Sequence, residues 1–275
     1  MRRSASFLGV LGWPLEHTLS PAIQNVALRR LGLDWVYLAF PVPPESLREA
    51  VEGLRALGAV GANVTMPHKE SIVEYLDALS GDARTIGAVN TIQRVGDEFI
   101  GHNTDVDGFA EFVAGDAGID VTEGTSLVLG AGGAARAVVK ALETLGAKEI
   151  VVTARDPEKA STIAEMFAGV KTAAWPSSRS DAEPFKLIVN ATPLGMGGED
   201  VLPEVEFRAD QAIVDLVYDP PSTPVVERAR AAGAEAWSGV GMLVRQAAAS
   251  LKIWTGQDPP LEAMSAAALH ALGRR

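Results

Sequence analysis

The chain of 275 residues contains no cysteine, which excludes a disulfide framework, a thiol nucleophile and a thiolate metal site. Histidine is scarce: His17, His68, His102 and His270 are scattered, without paired ligand spacing, so no metal is expected. Positive charge is also short. Lys and Arg number 24 against 35 Asp and Glu, a net charge of −11. Nucleic acid and anionic membrane surfaces are usually met by a basic patch, so neither is expected as a partner. A small-molecule partner is expected instead. No stretch approaches the ~20 apolar residues of a membrane span. Arg2-Arg3 and the apolar run after them resemble the start of an export signal, but the run is short, broken by glycine and stopped by Pro14 and Glu16. It reads better as a first strand, and the cytoplasm is the expected compartment.

What is present suits a globular α/β protein. At 47% hydrophobic and 21% charged, the chain is able to bury a sizeable core and is long enough for two domains. Strand-like and helix-like segments alternate nearly throughout. Strands are predicted near 7–10, 35–40, 60–64, 88–94 and 98–101, then near 149–153, 170–174, 187–190, 212–216 and 234–237. Helices are predicted over 21–31, 44–57 and 69–77, and two more over 241–255 and 261–272. The stretch 114–124 has the composition of a linker. The expected organisation is a substrate domain of residues 1–105 with 237–275, and a dinucleotide-binding domain of residues 106–236. The last two helices have no strands of their own to cover, so they are expected to return to the first domain.

The most specific signal is TSLVLGAGGAARAVVKAL, starting at Thr125. A short apolar run leads into Gly130, Gly132 and Ala135, which fill the G-x-G-x-x-G/A spacing, and an alanine-rich helix follows. Gly130 lets the strand turn sharply. Gly132 lets a pyrophosphate approach the main chain, and Ala135 lets helix and strand pack closely. The helix N-terminus offers unpaired N–H groups and a positive dipole to the phosphates. The strand before the loop and the helix after it favour this reading over a plain tight turn. The next strand ends beside Arg155, with Lys159 one helical turn later, where two cations suit the 2′-phosphate of NADP better than the free ribose of NAD. Asp156 either N-caps the helix opened by Pro157 or faces a ribose, capping being the commoner use.

In the first half, Asn63-Val-Thr-Met-Pro-His-Lys69 places polar side chains at a strand's carboxyl end, where α/β folds hold ligands. Lys69 is predicted to open a helix, a position the dipole disfavours, which suggests another use for its amine. Gly87-Ala-Val-Asn-Thr91 and Gly101-His-Asn-Thr-Asp105 form two further clusters, each explicable singly as turn chemistry. Lys69 and Asp105 read either as an ordinary ion pair or as an amine oriented by a carboxylate, able to give and recover a proton. Gln246, polar within an apolar helix, is either a ligand contact or solvated at a helix end.

Together with HTLSP near the N-terminus, NATPLGM, DLVYDPPSTP and GMLVRQAA, these segments resemble the shikimate dehydrogenase family over nearly the whole chain. The resemblance implies an N-terminal α/β substrate domain, a Rossmann-like domain, and NADP-linked interconversion of 3-dehydroshikimate and shikimate in a cleft between them. Carried over by position, Thr18, Ser20, Thr65 and Tyr218 receive the substrate carboxylate, while Asn63, Asn90 and Gln246 hold ring hydroxyls. Lys69 and Asp105 match the catalytic pair. The cofactor residues become Gly130, Ala131, Gly132, Gly133, Ala134, Ala135, Arg155, Lys159, Thr192, Met196, Gly239 and Met242. Two departures stand out. Thr18 replaces the commoner first serine of a Ser-x-Ser pair, and Ala154-Arg155-Asp156 stands where the family has Asn-Arg-Thr. A related branch oxidises quinate as well, often with NAD; a nucleotide-sensing module without turnover is the reading from another class. A monomer or homodimer is expected.

Overall fold

The computed structural model describes residues 6–274. They divide into two compact units. One runs to Gly108 and resumes at Val244; the other is Phe109–Leu243.

The first unit contains β1 (Ser6–Gly12), α1 (Ser20–Arg30), β2 (Trp35–Pro41), α2 (Leu47–Ala56), β3 (Gly61–Val64), β4 (Ala78–Leu79), α3 (Gly81–Ile86), β5 (Thr91–Val95) and β6 (Glu98–His102). The chain leaves this unit within α4 (Thr104–Glu111). The strands form one mixed sheet in the order β2-β1-β3-β5-β6-β4. β2, β1 and β3 are parallel, β5 runs antiparallel to both β3 and β6, and β4 is parallel to β6. Apolar residues on one stripe explain the covering helices: Leu47, Val51 and Leu54 recur along α2 and sink into a core with Val64, Ile72, Ile92 and Phe99.

The second unit holds β7 (Thr125–Leu129), α5 (Gly133–Thr144), β8 (Glu149–Thr153), α6 (Pro157–Met166), β9 (Val170–Thr172), β10 (Phe185–Asn190), β11 (Ala212–Asp215), α7 (Pro224–Ala231) and β12 (Glu235–Trp237). Its sheet is wholly parallel, ordered β12-β11-β10-β7-β8-β9, the doubly wound arrangement with its switch point between β7 and β10. The chain returns to the first unit within α8 (Val240–Thr255) and ends with α9 (Leu261–Leu272), which packs on α1.

Three local expectations need correction. Residues 69–77 form no α-helix: a turn leads into a 3₁₀ turn at Ser71–Tyr75, and the chain then joins the sheet. Asp77 exchanges hydrogen bonds with Phe99 on β6, at 3.0 Å through its N–H and 2.7 Å through its carboxylate, and this tether stops helix propagation. The strand expected from residue 88 begins only at Thr91, because Ala88 and Val89 bond to neighbouring loops, the Ala88 carbonyl accepting from Asn103 Nδ2 and the Val89 N–H donating to the Lys69 carbonyl. The stretch 114–124 opens on a π-helical turn, Phe112–Asp116, continuous with α4. Among the described residues no helix is long and apolar enough to cross a membrane.

Candidate active site and nucleotide site

Sheet topology gathers the first unit's polar clusters at one edge. β1 and β3 are parallel neighbours, and β6 points the same way because β5 lies antiparallel between β3 and β6. Thr18 and Ser20 follow β1, Thr65 and Lys69 follow β3, Asp105 follows β6, and Asn90 precedes β5. Thr18 Oγ1 accepts the Ser20 N–H at 3.3 Å, ordering the entry to α1, and both residues are half-buried. Thr65 packs so closely on Gly12 that a Cβ there would stand 2.4 Å from its methyl carbon.

Lys69 sits in a turn, not at a helix start. His68, 1% exposed, anchors that turn through a 2.7 Å contact of its Nε2 with the Val42 carbonyl, and the Lys69 carbonyl accepts the Val89 N–H at 2.7 Å. The side chain is thereby aimed at Asp105: Nζ donates to Oδ2 at 2.7 Å, with 18% of the lysine side chain exposed and 7% of the aspartate's. Asp105 lies in the first turn of α4, where a carboxylate is favoured by the dipole, and the Asn103 side chain caps its N–H at 3.1 Å. Its other oxygen, Oδ1, accepts from Asn90 Nδ2 at 2.8 Å. A nearly dry carboxylate thus holds an ammonium that has two further protons to offer.

Asn63 is committed within the protein. Strand pairing sets it opposite Thr91, on the face that also carries Gly61 against Trp254. Its Oδ1 accepts from the Tyr37 hydroxyl at 2.7 Å, and its Nδ2 lies 3.0 Å from the Asn90 carbonyl, Thr91 Oγ1 and Ser250 Oγ alike. Burial pushes the Tyr37 phenol far above its ordinary value, which keeps it a neutral donor. Gln246 lies on α8 in this unit. Tyr218 follows β11 in the other.

In the second unit the glycine loop has the form expected of it. Gly130 adopts φ +121° and receives the end of β8 through an N–H bond to the Thr153 carbonyl at 2.8 Å. A Cβ there would stand 2.9 Å from the Ala191 carbonyl oxygen. Gly132 is the N-cap of α5 and is exposed, with nothing within 4 Å of where a Cβ would project. No side chain caps this helix and no acidic residue lies in its first turn, so its end is open to an anion. Ala135 is buried against the sheet. Arg155 and Lys159 are both exposed past the end of β8, and Asp156 takes the capping role, its Oδ1 accepting the Glu158 N–H at 3.1 Å. These features fit a dinucleotide carrying a 2′-phosphate.

Across the switch point, Asn190 organises the loop bearing Thr192 and Met196. Its Oδ1 accepts the Thr192 N–H and hydroxyl at 3.0 and 2.7 Å, and its Nδ2 donates to the Leu194 carbonyl at 2.9 Å and to Asp215 at 2.8 Å. Asp215 is wholly buried and also accepts from Thr223 and the Val217 N–H. Burial raises its carboxyl above the ordinary range, against the pull of those bonds. Met196 is exposed, Met242 is buried, and Gly239 passes so close to Leu216 that a Cβ would strike its carbonyl. Sequence reasoning missed Tyr37, Thr91, Thr104, Asn190, Asp215 and Ser250. The one available signal was Ser250, polar and one helical turn beyond Gln246 in an apolar stripe.

Comparison with known proteins agrees with this architecture. The chain matches the shikimate dehydrogenase substrate binding domain over residues 10–92, the shikimate / quinate 5-dehydrogenase family over 113–192 and the shikimate 5′-dehydrogenase C-terminal domain over 239–269. It is 42% identical to the shikimate dehydrogenase (NADP(+)) of Geobacter metallireducens over 280 residues, covering 97% of each chain. It is 45% identical to that of Methanopyrus kandleri over 276 residues, covering 96% of this chain and 95% of the relative. Among solved structures, the Thermus thermophilus shikimate 5-dehydrogenase in complex with NADP(H) and shikimate superposes with a TM-score of 0.86 at 38% identity, covering 97% of this chain and all of the other. Sequence, strand order and site geometry agree: the chain belongs to the shikimate dehydrogenase family.

Proposed function

We propose that this chain is an NADP-dependent shikimate dehydrogenase that reversibly reduces 3-dehydroshikimate to shikimate, a cytoplasmic step toward the aromatic amino acids. The observation that carries the reading is the Lys69–Asp105 contact at 2.7 Å, nearly buried and braced by Asn90. Bound NADP supplies the acceptor or donor of hydride. The protein's own part is to bind the carboxylate, orient the ring and move one proton. The hydroxyls of Thr18, Ser20 and Thr65 stand at the carboxyl ends of neighbouring strands and receive the substrate carboxylate, with Tyr218 as a fourth hydroxyl. Such neutral donors suit an anion bound by an acidic protein. Asn90 and Gln246 orient ring hydroxyls, and Asn63 acts by holding Asn90. In the reductive direction Lys69 Nζ gives a proton to the developing alkoxide; in oxidation it recovers one. Gly130 to Ala135 and the α5 N-terminus hold the pyrophosphate, Arg155 and Lys159 the 2′-phosphate, and the loop of Thr192 and Met196, with Gly239 and Met242, the nicotinamide end.

The test is a substrate-by-cofactor matrix, with shikimate and quinate each offered NADP and NAD while reduced nicotinamide is followed by absorbance. Shikimate with NADP is expected to give the highest kcat/KM. Binding of NADP without turnover of either acid would support the sensing module, and preference for quinate with NAD would move the chain to the other branch.

A further inference from the structure

Behind the Lys69–Asp105 pair lies a set of buried hydroxyls for which proton transfer itself has no use. Thr91, Thr104 and Ser250 are each no more than 1% exposed. Their oxygens close a triangle, with 2.8 Å between Thr91 and Ser250, 3.0 Å between Thr104 and Ser250, and 3.3 Å between Thr91 and Thr104. β5, the first turn of α4 and α8 each contribute one member.

Donor and acceptor chemistry gives this cluster a direction. The Thr104 backbone N–H can only donate and lies 2.8 Å from one end of the Asn90 amide, so that end is the carbonyl oxygen. The amide nitrogen must then face Asp105. The Asn90 and Gln246 backbone carbonyls can only accept, so Asn63 turns its nitrogen inward and Ser250 gives its proton to Gln246 at 3.0 Å. Ser250 Oγ is therefore left as an acceptor whose two lone pairs are shared among Thr91, Thr104 and Asn63. Without it, the Thr91 and Thr104 protons have only each other's oxygen, at 3.3 Å, and Asn90 Oδ1, 3.0 and 3.2 Å away, which already accepts the Thr104 N–H. The remaining lone pair of Asn90 Oδ1 is then drawn into the hydroxyl network, and the two threonines, no more than 1% exposed, have no water to turn to.

We propose that Ser250 is a positioning residue of the proton-transfer site: as the terminal acceptor of the hydroxyl triangle it fixes the orientation of Asn90, which holds Asp105 against Lys69. Ser250 touches no reacting atom. It also ties this geometry to α8, one turn from Gln246. The proposal rests on the dehydrogenase reading for its kinetic consequence, though not for its structural one.

Ser250→Ala, Ser250→Thr and Ser250→Val separate the hydroxyl from the packing, since Thr and Val match in shape and differ in that group. With shikimate and saturating NADP, the Ala and Val forms are expected to lower kcat roughly five- to tenfold, as loss of one buried hydrogen bond implies, while KM for shikimate stays within about twofold. The Thr form is expected to restore kcat. Independently of activity, exchange of the Asn90 side-chain amide protons, followed by NMR on asparagine-labelled protein, should accelerate on the order of tenfold in the Ala and Val forms only. Thr91→Val removes the same contact from the other side and replaces any Ser250 variant that fails to fold. Equal losses in the Thr and Val forms would assign the effect to packing and overturn the proposal. So would unchanged kcat and exchange in the Ala form, or a KM rise as large as the fall in kcat. A parent that does not turn over shikimate would sink the dehydrogenase reading, with amide exchange still deciding the role of Ser250.

Discussion

The corner around Lys69 and the glycine loop before α5 solve opposite problems. The first is made of side chains and closed: an ammonium, a carboxylate and an amide, each restrained by a partner behind it. The second is made of main chain and open, with Gly132 exposed and an uncapped helix end. The proton transfer proposed for Lys69 needs one charge held at one place, and the protein surrounds that charge. Pyrophosphate binding needs several N–H groups facing outward, so the protein removes side chains instead. The aspartates of the two units extend the contrast. Asp105 has a cation at 2.7 Å, whereas Asp215 is as deeply buried and its hydrogen-bond partners are all neutral, which is why burial raises its carboxyl above the ordinary range.

The largest expected effect would break the first half of that comparison. Lys69→Ala should lower kcat by ~10²–10⁴-fold, as loss of a general acid does, with little change in shikimate affinity measured separately. Because Asp105 works through Lys69, Asp105→Asn should cost far less in the Lys69→Ala background than in the parent. Additivity in this double-mutant cycle would make the pair a structural salt bridge. Next, Arg155→Ala should weaken NADP by about 1.5–3 kcal/mol, the usual worth of a hydrogen bond to a charged group, while NAD binding by calorimetry stays nearly unchanged. Equal losses would remove Arg155 from the 2′-phosphate.

The two glycines of the loop sharpen the second half, since they should fail in different ways. Gly130→Ala forces a side chain into φ +121° and onto a carbonyl oxygen, so thermal unfolding should show a loss of about 1–3 kcal/mol. Gly132→Ala meets no such clash and should cost less than ~1 kcal/mol, yet it should weaken both NADP and NAD by intruding on the phosphates. The smallest effect concerns Asp215. A carboxyl raised in the fold adds stability below its unfolded pKa, and this is lost as pH rises through the folded pKa. The stability of the parent relative to Asp215→Asn should therefore fall as pH rises above the ordinary aspartate value of about 4. A flat difference in denaturant midpoints across that range would mean that its three hydrogen bonds outweigh its burial.

Much of this was readable from the chain because it is local. The G-x-G-x-x-A spacing, the alanine-rich helix after it, and the Asp156-Pro157 helix start are consequences of neighbouring residues, and α9 begins and ends where its apolar period does. Legibility failed where a distant partner decided. Residues 69–77 carry a helix-like pattern, but Asp77 is bound to β6. Thr91 and Thr104 fall in polar clusters and Ser250 interrupts an apolar stripe, but the residues lie up to 159 positions apart and nothing in any one segment shows that they meet.

The sequence by itself determined the α/β alternation and the nucleotide loop, because period and turn chemistry act over a few positions, and it singled out Lys69 and Asp105, which the fold brings to 2.7 Å of each other. Only the tertiary structure decided how the pair is held. Strand register sets Asn63 opposite Thr91, α8 brings Ser250 onto them, and a buried amide is oriented only by the donors and acceptors that the whole fold packs around it.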